Sequence, residues 1–493
     1  MSVVITVLMI VSVILLNSLF TMLSDRYAWQ INLNGDLPFS VSRDCYDLLG
    51  AALGQEDEVT VIFCDTEKNL KASDYSKYVY HTANELSAYF PEKIKVQYVD
   101  IWLNPGAVRK YTKSTDPITG EELETTLKSS SVIVTSGDFY RVYTVEEFFS
   151  IRSATSSAWA YNGEKKLASA ILRAVQKNRP TVCFTNNHGE IFYDPEILYL
   201  FDDAGYDVRH IDLLEEGIPE GCNLIVTYNP GMDLVDKDGV SDKSETDLLE
   251  SFLSVSGNSY LVFLQNATPS LPTLEGFLAE WGVETQYATV GSAGATYRYT
   301  VQDTSQSLTA DGYSLYGEPV LTGKSAELLA GLGRQTVFAN ATALRATFRS
   351  NGDGSYTRDN RTLYSLYQSS ENAVSWASGS PVDGGATLLF ALTEQKNADA
   401  GSSFVGVCSS VSFTTESYLQ SAVYGNTDAL MRTLSVFGKQ NLPEGLTIKP
   451  FLSTTISTVT TAQMLGWTLA LALIPAAIIT TAAALILVRR RNR

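Results

Sequence analysis

The sequence predicts an α/β protein whose globular body lies between two membrane-spanning helices. Two charge-free apolar stretches, residues 3–23 and 466–488, lie near the two ends of the 493-residue chain. Between them, short apolar runs alternate with amphipathic segments, an order typical of strands and helices that build α/β sheets. We therefore expect two extracytoplasmic α/β domains, flanked by an N-terminal and a C-terminal transmembrane helix.

The C-terminal stretch decides the predicted orientation. A helix needs about 20 apolar residues to cross a bilayer, and residues 466–488 meet that length before the tail Arg489, Arg490, Arg491 and Arg493. Lysine and arginine residues next to a membrane helix are retained on the cytoplasmic side. Residues 3–23 lack a basic flank and a small-residue cleavage site, so we interpret them as an uncleaved anchor. Both termini are then cytoplasmic, and the body lies outside a bacterial cell membrane.

Composition narrows the possible function classes. The net charge is −18, and because four arginines lie in the tail, the body is more acidic still. An acidic body opposes binding to nucleic acid, and it also opposes a polybasic contact with anionic lipid. The five cysteines are scattered and form no CxxC pair, so they indicate neither a disulfide framework nor a zinc site. We expect them to be small buried side chains. They are Cys45, Cys64, Cys183, Cys222 and Cys408.

The predicted first domain covers residues 24–160. Ser42 is placed to cap a short helix, and Ser136-Gly137-Asp138 marks a hairpin turn. The order strand, helix, strand and then a hairpin is compatible with a thioredoxin-like layout, although no CxxC is present to support redox chemistry. The predicted elements are a strand at 59–64, a helix at 75–90 and strands at 94–101, 131–135 and 139–145.

The predicted second domain covers residues 161–440 and includes a β-rich insertion at about 285–385. Asn162 is expected to cap a helix that joins the two domains, and Asp194-Pro195-Glu196 to begin another. Strands alternating with helices predict a doubly wound parallel sheet of flavodoxin- or amidotransferase-like type. The predicted strands lie at 181–185, 206–213, 223–228, 259–265, 386–392 and 403–408, the helices at 244–256, 273–281 and 427–437, and a juxtamembrane segment at 441–465.

Familiar catalytic motifs are missing from the sequence. There is neither a GxSxG nor an HExxH string. The nearest approach to a P-loop runs from Gly317 to Ser325, with five residues between its glycines where the motif has four. We interpret it as a coincidence and assign no catalytic residue, metal or cofactor.

One loop has the polarity of a binding site. It follows the predicted strand 181–185, at the edge where parallel sheets bind ligands, and neighbouring strands end in further polar residues. Three interpretations stay open: a structural loop or protein contact, a ligand-binding crevice, and acid–base catalysis by His188 and Glu190. The candidate ligand-binding residues are Asn186, Asn187, His188, Glu190, Asn229 and Gln265.

Several short strings together resemble the GldG-like auxiliary components of ABC-type transport systems, a family first associated with gliding motility. The most specific string is VCFTNNHGE, which is similar to the family's V-Y-F-L-x-G-H-G-E. The Gly-Asp-Ser with which the last strand often ends in that family is replaced by VCSS at 407–410, and the loop at 112–129 is enlarged. The strings are Leu37–Ser42 (LPFSVS), Val99–Pro105 (VDIWLNP), Ser136–Val142 (SGDFYRV), Val182–Glu190, Ala204–Val208 (AGYDV) and Ile218–Val226 (IPEGCNLIV).

The resemblance implies a non-catalytic, membrane-anchored subunit that works with an ABC-2-type permease and a separate cytoplasmic ATPase. Its body would bind a surface polymer, another transport substrate or another subunit, and its helices would contact the permease and the lipid bilayer. Two alternatives remain. One is an extracytoplasmic hydrolase or amidotransferase-like enzyme that uses His188 and Glu190; the other is a free-standing anchored sensor.

Overall fold

A computed structural model describes most of the chain between residues 39 and 451. The described ranges are 39–115, 122–124, 126–152, 157–176, 180–190, 195–237, 244–264, 270–290, 295–377, 379–421, 423–437 and 445–451, with residues 488, 490 and 491. Residues Met1–Pro450 form one compact unit, and Phe451–Arg493 form another. The predicted spans 3–23 and 466–488 lie outside the described residues, apart from Val488. No helix within the described ranges has the length and hydropathy that a membrane crossing requires.

The first α/β part comprises residues 39–176. Its helices, within the described residues, are α1 (Arg43–Ala52), α2 (Glu67–Ala72), α3 (Ser76–Tyr89) and α4 (Gly163–Val175). Its strands are β1 (Val59–Phe63), β2 (Ile94–Tyr98), β3 (Lys113–Thr115), β4 (Glu122–Glu124), β5 (Ser131–Ser136), β6 (Phe139–Thr144), β7 (Phe149–Arg152) and β8 (Ser157–Tyr161).

A mixed sheet of order β2-β1-β5-β6 forms the centre of this part. Strands β1 and β2 are parallel, whereas β5 runs antiparallel to β1. Successive side chains of a strand point to opposite faces. Accordingly, Ile62 packs with Val108 and Tyr111 of a 3-10 turn on one face, and α4 packs against β1 and β5. Ser42 caps α1 by accepting a hydrogen bond from the backbone of Cys45, as predicted.

The second α/β part comprises residues 180–437. Its helices, within the described residues, are α5 (Glu196–Asp203), α6 (Glu245–Leu253), α7 (Pro272–Glu280), α8 (Gly323–Leu329), α9 (Glu416–Leu419) and α10 (Asn426–Val436). Its strands are β9 (Thr181–Thr185), β10 (Asp207–Ile211), β11 (Cys222–Tyr228), β12 (Ser259–Phe263), β13 (Val283–Thr285), β14 (Tyr287–Val290), β15 (Ala295–Arg298), β16 (Thr300–Gln302), β17 (Ser314–Pro319), β18 (Thr336–Ala339), β19 (Leu344–Ala346), β20 (Arg349–Ser350), β21 (Ser355–Arg358), β22 (Arg361–Gln368), β23 (Val374–Ala377), β24 (Ser380–Gly384), β25 (Leu388–Lys396) and β26 (Ser402–Cys408).

The main sheet of this part has the order β10-β9-β11-β12-β26-β25-β22-β17-β18. The first five strands are parallel to one another. Helices cover both faces, because alternate strand residues supply two separate cores. Phe184 of β9 packs in a cluster with Phe201 of α5 and Leu430 of α10. The adjacent Cys183 faces the opposite cluster, which includes Leu249 of α6.

Three features differ from the sequence prediction. The sheet is mixed rather than wholly parallel, since β25, β22, β17 and β18 extend it in antiparallel fashion. The segment 285–385 is therefore not simply an insertion, because several of its strands belong to the main sheet. Asn162 occupies the N-cap position of α4, but its side chain makes no capping hydrogen bond.

The prediction for the cysteines is confirmed, because all five are free and buried.

Helix α4 joins the two parts through buried charges. Lys166 donates a 2.7 Å hydrogen bond to Asp203, and Arg173 forms a close ion pair with Asp202. Arg141 donates to the same Asp202 carboxylate over 2.7 Å. Burial alone raises the pKa of Asp202, but the two guanidinium groups lower it below its ordinary value. Asp202 is therefore an ionised group that neutralises cations from the first part.

The two ends of the described body meet at the start of α4. The buried Glu164 carboxylate accepts hydrogen bonds from the Ser42 amide at 2.7 Å and hydroxyl at 2.5 Å. It also forms a 2.5 Å ion pair with Lys449, whose ammonium donates to the Ser40 carbonyl. Lys449 belongs to a short strand, β27 (Lys449–Pro450), which is the last one within the described residues and pairs antiparallel with β8. Residues that are 409 positions apart along the chain are thus in direct contact.

We predict that Asp202→Asn lowers the free energy of unfolding by about 3–5 kcal/mol, because Arg141 and Arg173 would lose the buried carboxylate that they share and Arg173 would keep only its 3.3 Å ion pair with Asp207. Chemical denaturation in detergent solution, followed by tryptophan fluorescence, measures this change. The matched control is Asp247→Asn, whose ion pair with Lys237 joins side chains that are 61% and 57% exposed. That variant should lose less than about 1 kcal/mol. Equal losses in the two variants would contradict the proposed role of Asp202.

Candidate functional site

The polar loop after β9 lies at the carboxyl edge of the parallel strands. Asn187 and Gly189 have left-handed φ angles of 76° and 67°, which allow the chain to turn sharply on both sides of His188. The His188 carbonyl accepts hydrogen bonds from the amides of Gly231 and Met232 at 2.8 and 2.7 Å. These bonds attach the loop to the segment that follows β11, so that two neighbouring strand ends are held together.

The His188 side chain is enclosed by two glutamates. Its Nδ1 lies 3.1 Å from Glu190 Oε1, and its Nε2 lies 2.9 Å from Glu245 Oε2. All three side chains are at most 5% exposed. We call this arrangement the Glu190–His188–Glu245 clamp. It connects the loop after β9 to the first turn of α6.

Further hydrogen bonds fix both carboxylates. Glu190 accepts from the His188 amide at 2.7 Å and from the Thr185 hydroxyl at 2.8 Å. Glu245 accepts from the Val235 amide at 2.7 Å. Behind Thr185, the hydroxyls of Thr227 and Tyr260 continue the polar contacts between strands, at 3.0 and 2.8 Å.

The charges of the clamp determine its chemistry. Burial alone lowers the pKa of His188, but its hydrogen bonds to Glu190 and Glu245 raise it to about 10. Burial alone raises the pKa of Glu190, whereas the bond from His188 contributes to an overall lowering. At neutral pH the imidazole is therefore a cation that donates from both ring nitrogens. Neither nitrogen is available to take a proton from a substrate, and this geometry opposes the acid–base interpretation of His188 and Glu190.

The other predicted site residues lie at the same edge, with varied roles. The Asn186 amide donates to Ile211 of β10 at 2.9 Å, and the Asn187 side chain donates to Asp212 over 2.8 Å. Asn229 is buried, and its amide donates to Phe263 at 3.0 Å. Gln265 lies outside the described residues. Asn187, His188 and Glu190 thus bind protein groups, while ligand binding by the six residues stays a prediction.

Glu245 was not among the predicted site residues. It lies 57 positions from His188, and in the sequence it is only an acid in the first turn of a helix, a common position because of the helix dipole. No spacing rule relates it to the loop. Within the described residues, no group of three or more His, Cys, Asp or Glu side chains is arranged to hold a metal ion.

A second candidate surface is a cavity of about 370 Å³ between the two α/β parts. The first part contributes Glu146, Asn162 and Lys165, and the second contributes Tyr199 and Thr427 to its lining. Burial lowers the pKa of Lys165, although the charges of Asp428 and Asp203 oppose this effect. Among the described residues, no carboxylate lies within ion-pair distance of Lys165. The cavity combines charged, amide and aromatic groups, a mixture suited to a polar ligand.

We predict that His188 stays protonated past pH 9 and that Glu245→Gln lowers its pKa by at least about one unit, since one carboxylate is lost. The chain has three histidines, so ¹³C-histidine NMR can follow each one, with His81→Asn and His210→Asn for assignment.

The raised pKa of His188 also predicts how stability depends on pH. Because its pKa is about 10 in the folded protein and about 6.5 in the unfolded chain, the stabilisation from His188 is complete only below about pH 6.5. Stability contributed by His188 should therefore decline as the pH rises from about 6.5 to 10. Titration of all three histidines below pH 7 would refute the clamp.

Comparison with known proteins adds no relative to this description. No family model, curated protein or solved structure matches the chain. The similarity to GldG-like components therefore depends on the sequence strings alone, and the function has to be argued from the chain's own residues.

Proposed function

We propose that the chain is a membrane-anchored, extracytoplasmic accessory subunit of a bacterial ABC-2-type transport system, similar to GldG-like components, without catalytic activity of its own. The observation that carries this proposal is the meeting of the two body ends at Glu164. Ser40 and Lys449 are in contact, and the charge-free stretches 3–23 and 466–488 lie beyond them on either side. A body whose two ends leave from one place is suited to attachment to a single membrane.

The clamp supports the non-catalytic part of the proposal. His188-Gly189-Glu190 is the most specific string of the family resemblance, and its polar groups are used within the protein. A buried imidazolium between two carboxylates holds strand ends together, as a structural element would. The hydrolase alternative needs a free ring nitrogen at His188, and no observation favours it. The sensor alternative predicts no particular arrangement of the His188 loop. It differs from the proposed function because a free-standing sensor has no transport partners.

Two further features agree with a subunit that leaves ATP hydrolysis to a separate protein. The P-loop-like string does not have the geometry of a phosphate cradle, because Gly317 lies inside β17, paired with Thr336. Lys324 forms a 3.3 Å ion pair with Glu394.

The finer fold assignment also belongs to this proposal. The order β2-β1-β5-β6 supports a thioredoxin-like first domain, and the five parallel strands support a flavodoxin- or amidotransferase-like second domain.

The cavity between the two parts is the proposed contact site for a transported substrate, such as a surface polymer, or for another subunit. Its lining comes from both parts, so a ligand there would contact the joint that α4 forms. The membrane helices would dock on the permease, where small and polar residues allow close approach in lipid. The small and polar residues of the predicted span 466–488, which are outside the described residues, include Thr480, Thr481, Ala482, Ala483 and Ala484.

We predict that the full chain, purified in mild detergent, brings an ABC-2-type permease and an ATPase with it, and that deletion of residues 462–493 abolishes their recovery. Quantitative mass spectrometry of the purified complexes provides the measurement. Asp247→Asn, a change on the exposed surface, is the control and should retain both partners. Recovery of the partners by the truncated chain, or of none by the full chain, would count against the proposal.

We also predict that the body faces outwards. Asp138 is exposed in the turn between β5 and β6, and the five native cysteines are buried. A membrane-impermeant maleimide should therefore modify Asp138→Cys in intact cells as fully as in lysed cells, with the unsubstituted chain as background. Modification only after lysis would place the body in the cytoplasm.

A further inference from the structure

A tryptophan and a leucine project side by side from the loop that follows β2. Trp102 is 83% exposed and Leu103 is 85% exposed, the highest values among the exposed large apolar side chains of the described residues. Most apolar residues that are exposed on protein surfaces occur singly. Two adjacent, almost fully exposed ones, of which one is tryptophan, indicate a contact surface. We call residues 102–103 the apolar tip.

The apolar tip is held by a defined turn. Asp100 Oδ1 accepts from the amides of Trp102 and Leu103 at 3.0 and 3.3 Å, and the Asn104 amide donates to the Asp100 carbonyl at 2.8 Å. Ile101 packs on the core beneath the sheet. The backbone is therefore ordered before any partner binds, which reduces the entropy that binding has to overcome.

Two exposed basic side chains follow the tip along the chain. Arg109 and Lys110 are exposed in the following 3-10 turn. Lys113 is opposite Glu124 in the β3–β4 pair. With the Asp100 carboxylate of the turn also counted, Arg109 and Lys110 leave a local excess of one positive charge. The chain as a whole has a net charge of −18, so this exposed pair next to apolar side chains is a local exception that complements an anionic surface. Tryptophan and leucine with flanking basic residues are typical of segments that enter the interface of an anionic bilayer.

The topology of the first sheet places the tip at the same end as the exit of the chain. Strands β1 and β2 are parallel, so the loop after β2 lies beside the carboxyl end of β1. Phe63 at that end pairs with Val132, and Ser131 pairs with Thr144. A 3-10 turn, Val145–Phe148, connects Thr144 to the β7–β8 hairpin that binds β27. The tip and Thr144 therefore lie at the same end of the sheet, and the separate β27-β8-β7 sheet, which holds the last described strand before the predicted C-terminal anchor, begins directly after this four-residue turn.

We propose that the apolar tip inserts Trp102 and Leu103 into the headgroup region of the bilayer, while Arg109 and Lys110 contact anionic phospholipid phosphates. This inference rests on the membrane anchoring in the proposed function and adds a third contact between body and bilayer. Such a contact would restrict tilting of the body above its anchors. The second end of the same sheet, at the β5–β6 turn, faces away from the lipid in this arrangement.

The test uses the full chain, reconstituted in vesicles of phosphatidylcholine and phosphatidylglycerol. Leu103→Cys carries the environment-sensitive fluorophore NBD, and the matched control Asp138→Cys carries the same label at the opposite end of the sheet. The buried native cysteines leave the introduced thiol as the reactive one. We expect the NBD emission at position 103 to shift to shorter wavelength when the chain is in vesicles. Lipids that carry a nitroxide near the headgroup should quench about half of that emission, whereas the label at position 138 should show neither change.

Two further arms separate the sources of signal. Vesicles of phosphatidylcholine alone, or the double substitution Arg109→Gln and Lys110→Gln, should reduce the quenching at position 103 severalfold.

Alkaline carbonate extraction tests the anchoring independently: release of the chain from the vesicles would refute the proposed function. If the chain resists extraction while the label at 103 stays in water, the inference about the tip is wrong and the anchoring stands. Protection of the label without lipid quenching, seen when the permease is present, would identify a protein partner and equally overturn the inference.

Discussion

The structure depends on the pairing of buried charges along helix α4. Almost all of this helix is buried, although it carries Glu164, Lys166 and Arg173, and burying an ion without a partner costs several kcal/mol. Two separate regions neutralise these charges. Glu164 binds the entry and exit segments, and Lys166 and Arg173 bind α5 of the second part. One helix therefore fixes both the contact of the two α/β parts and the place where the ends of the body meet.

The clamp around His188 illustrates how a polar loop at a favourable sheet edge can have a structural role. Its location, at the carboxyl ends of parallel strands, is where ligands bind in many α/β proteins. The two buried carboxylates change the chemistry of the imidazole, since they stabilise its cationic form and occupy both nitrogens. Function in such a protein is better sought where side chains face open space, as they do in the cavity with Lys165 and at the apolar tip.

Local sequence signals were sufficient for most elements. Apolar runs such as 181–185 formed strands and the Ser42 N-cap began a helix, because backbone preferences and period-two or period-3.6 patterns act over a few residues. The mixed direction of the main sheet was missed, since a strand's pattern reports burial and not the direction of its neighbour. Of the candidate site, the sequence located the loop and its edge but not Glu245, whose partner lies 57 residues away.

The sequence by itself therefore determined the α/β class, the burial of the five cysteines and the two charge-free stretches that predict membrane anchors. All three follow from composition and periodicity along the chain. Only the tertiary structure decided that His188 is enclosed by two carboxylates, that Ser40 and Lys449 touch, and that the protein leaves Trp102 and Leu103 uncovered. These facts depend on distances between segments that are remote in sequence, and packing of the whole chain sets such distances.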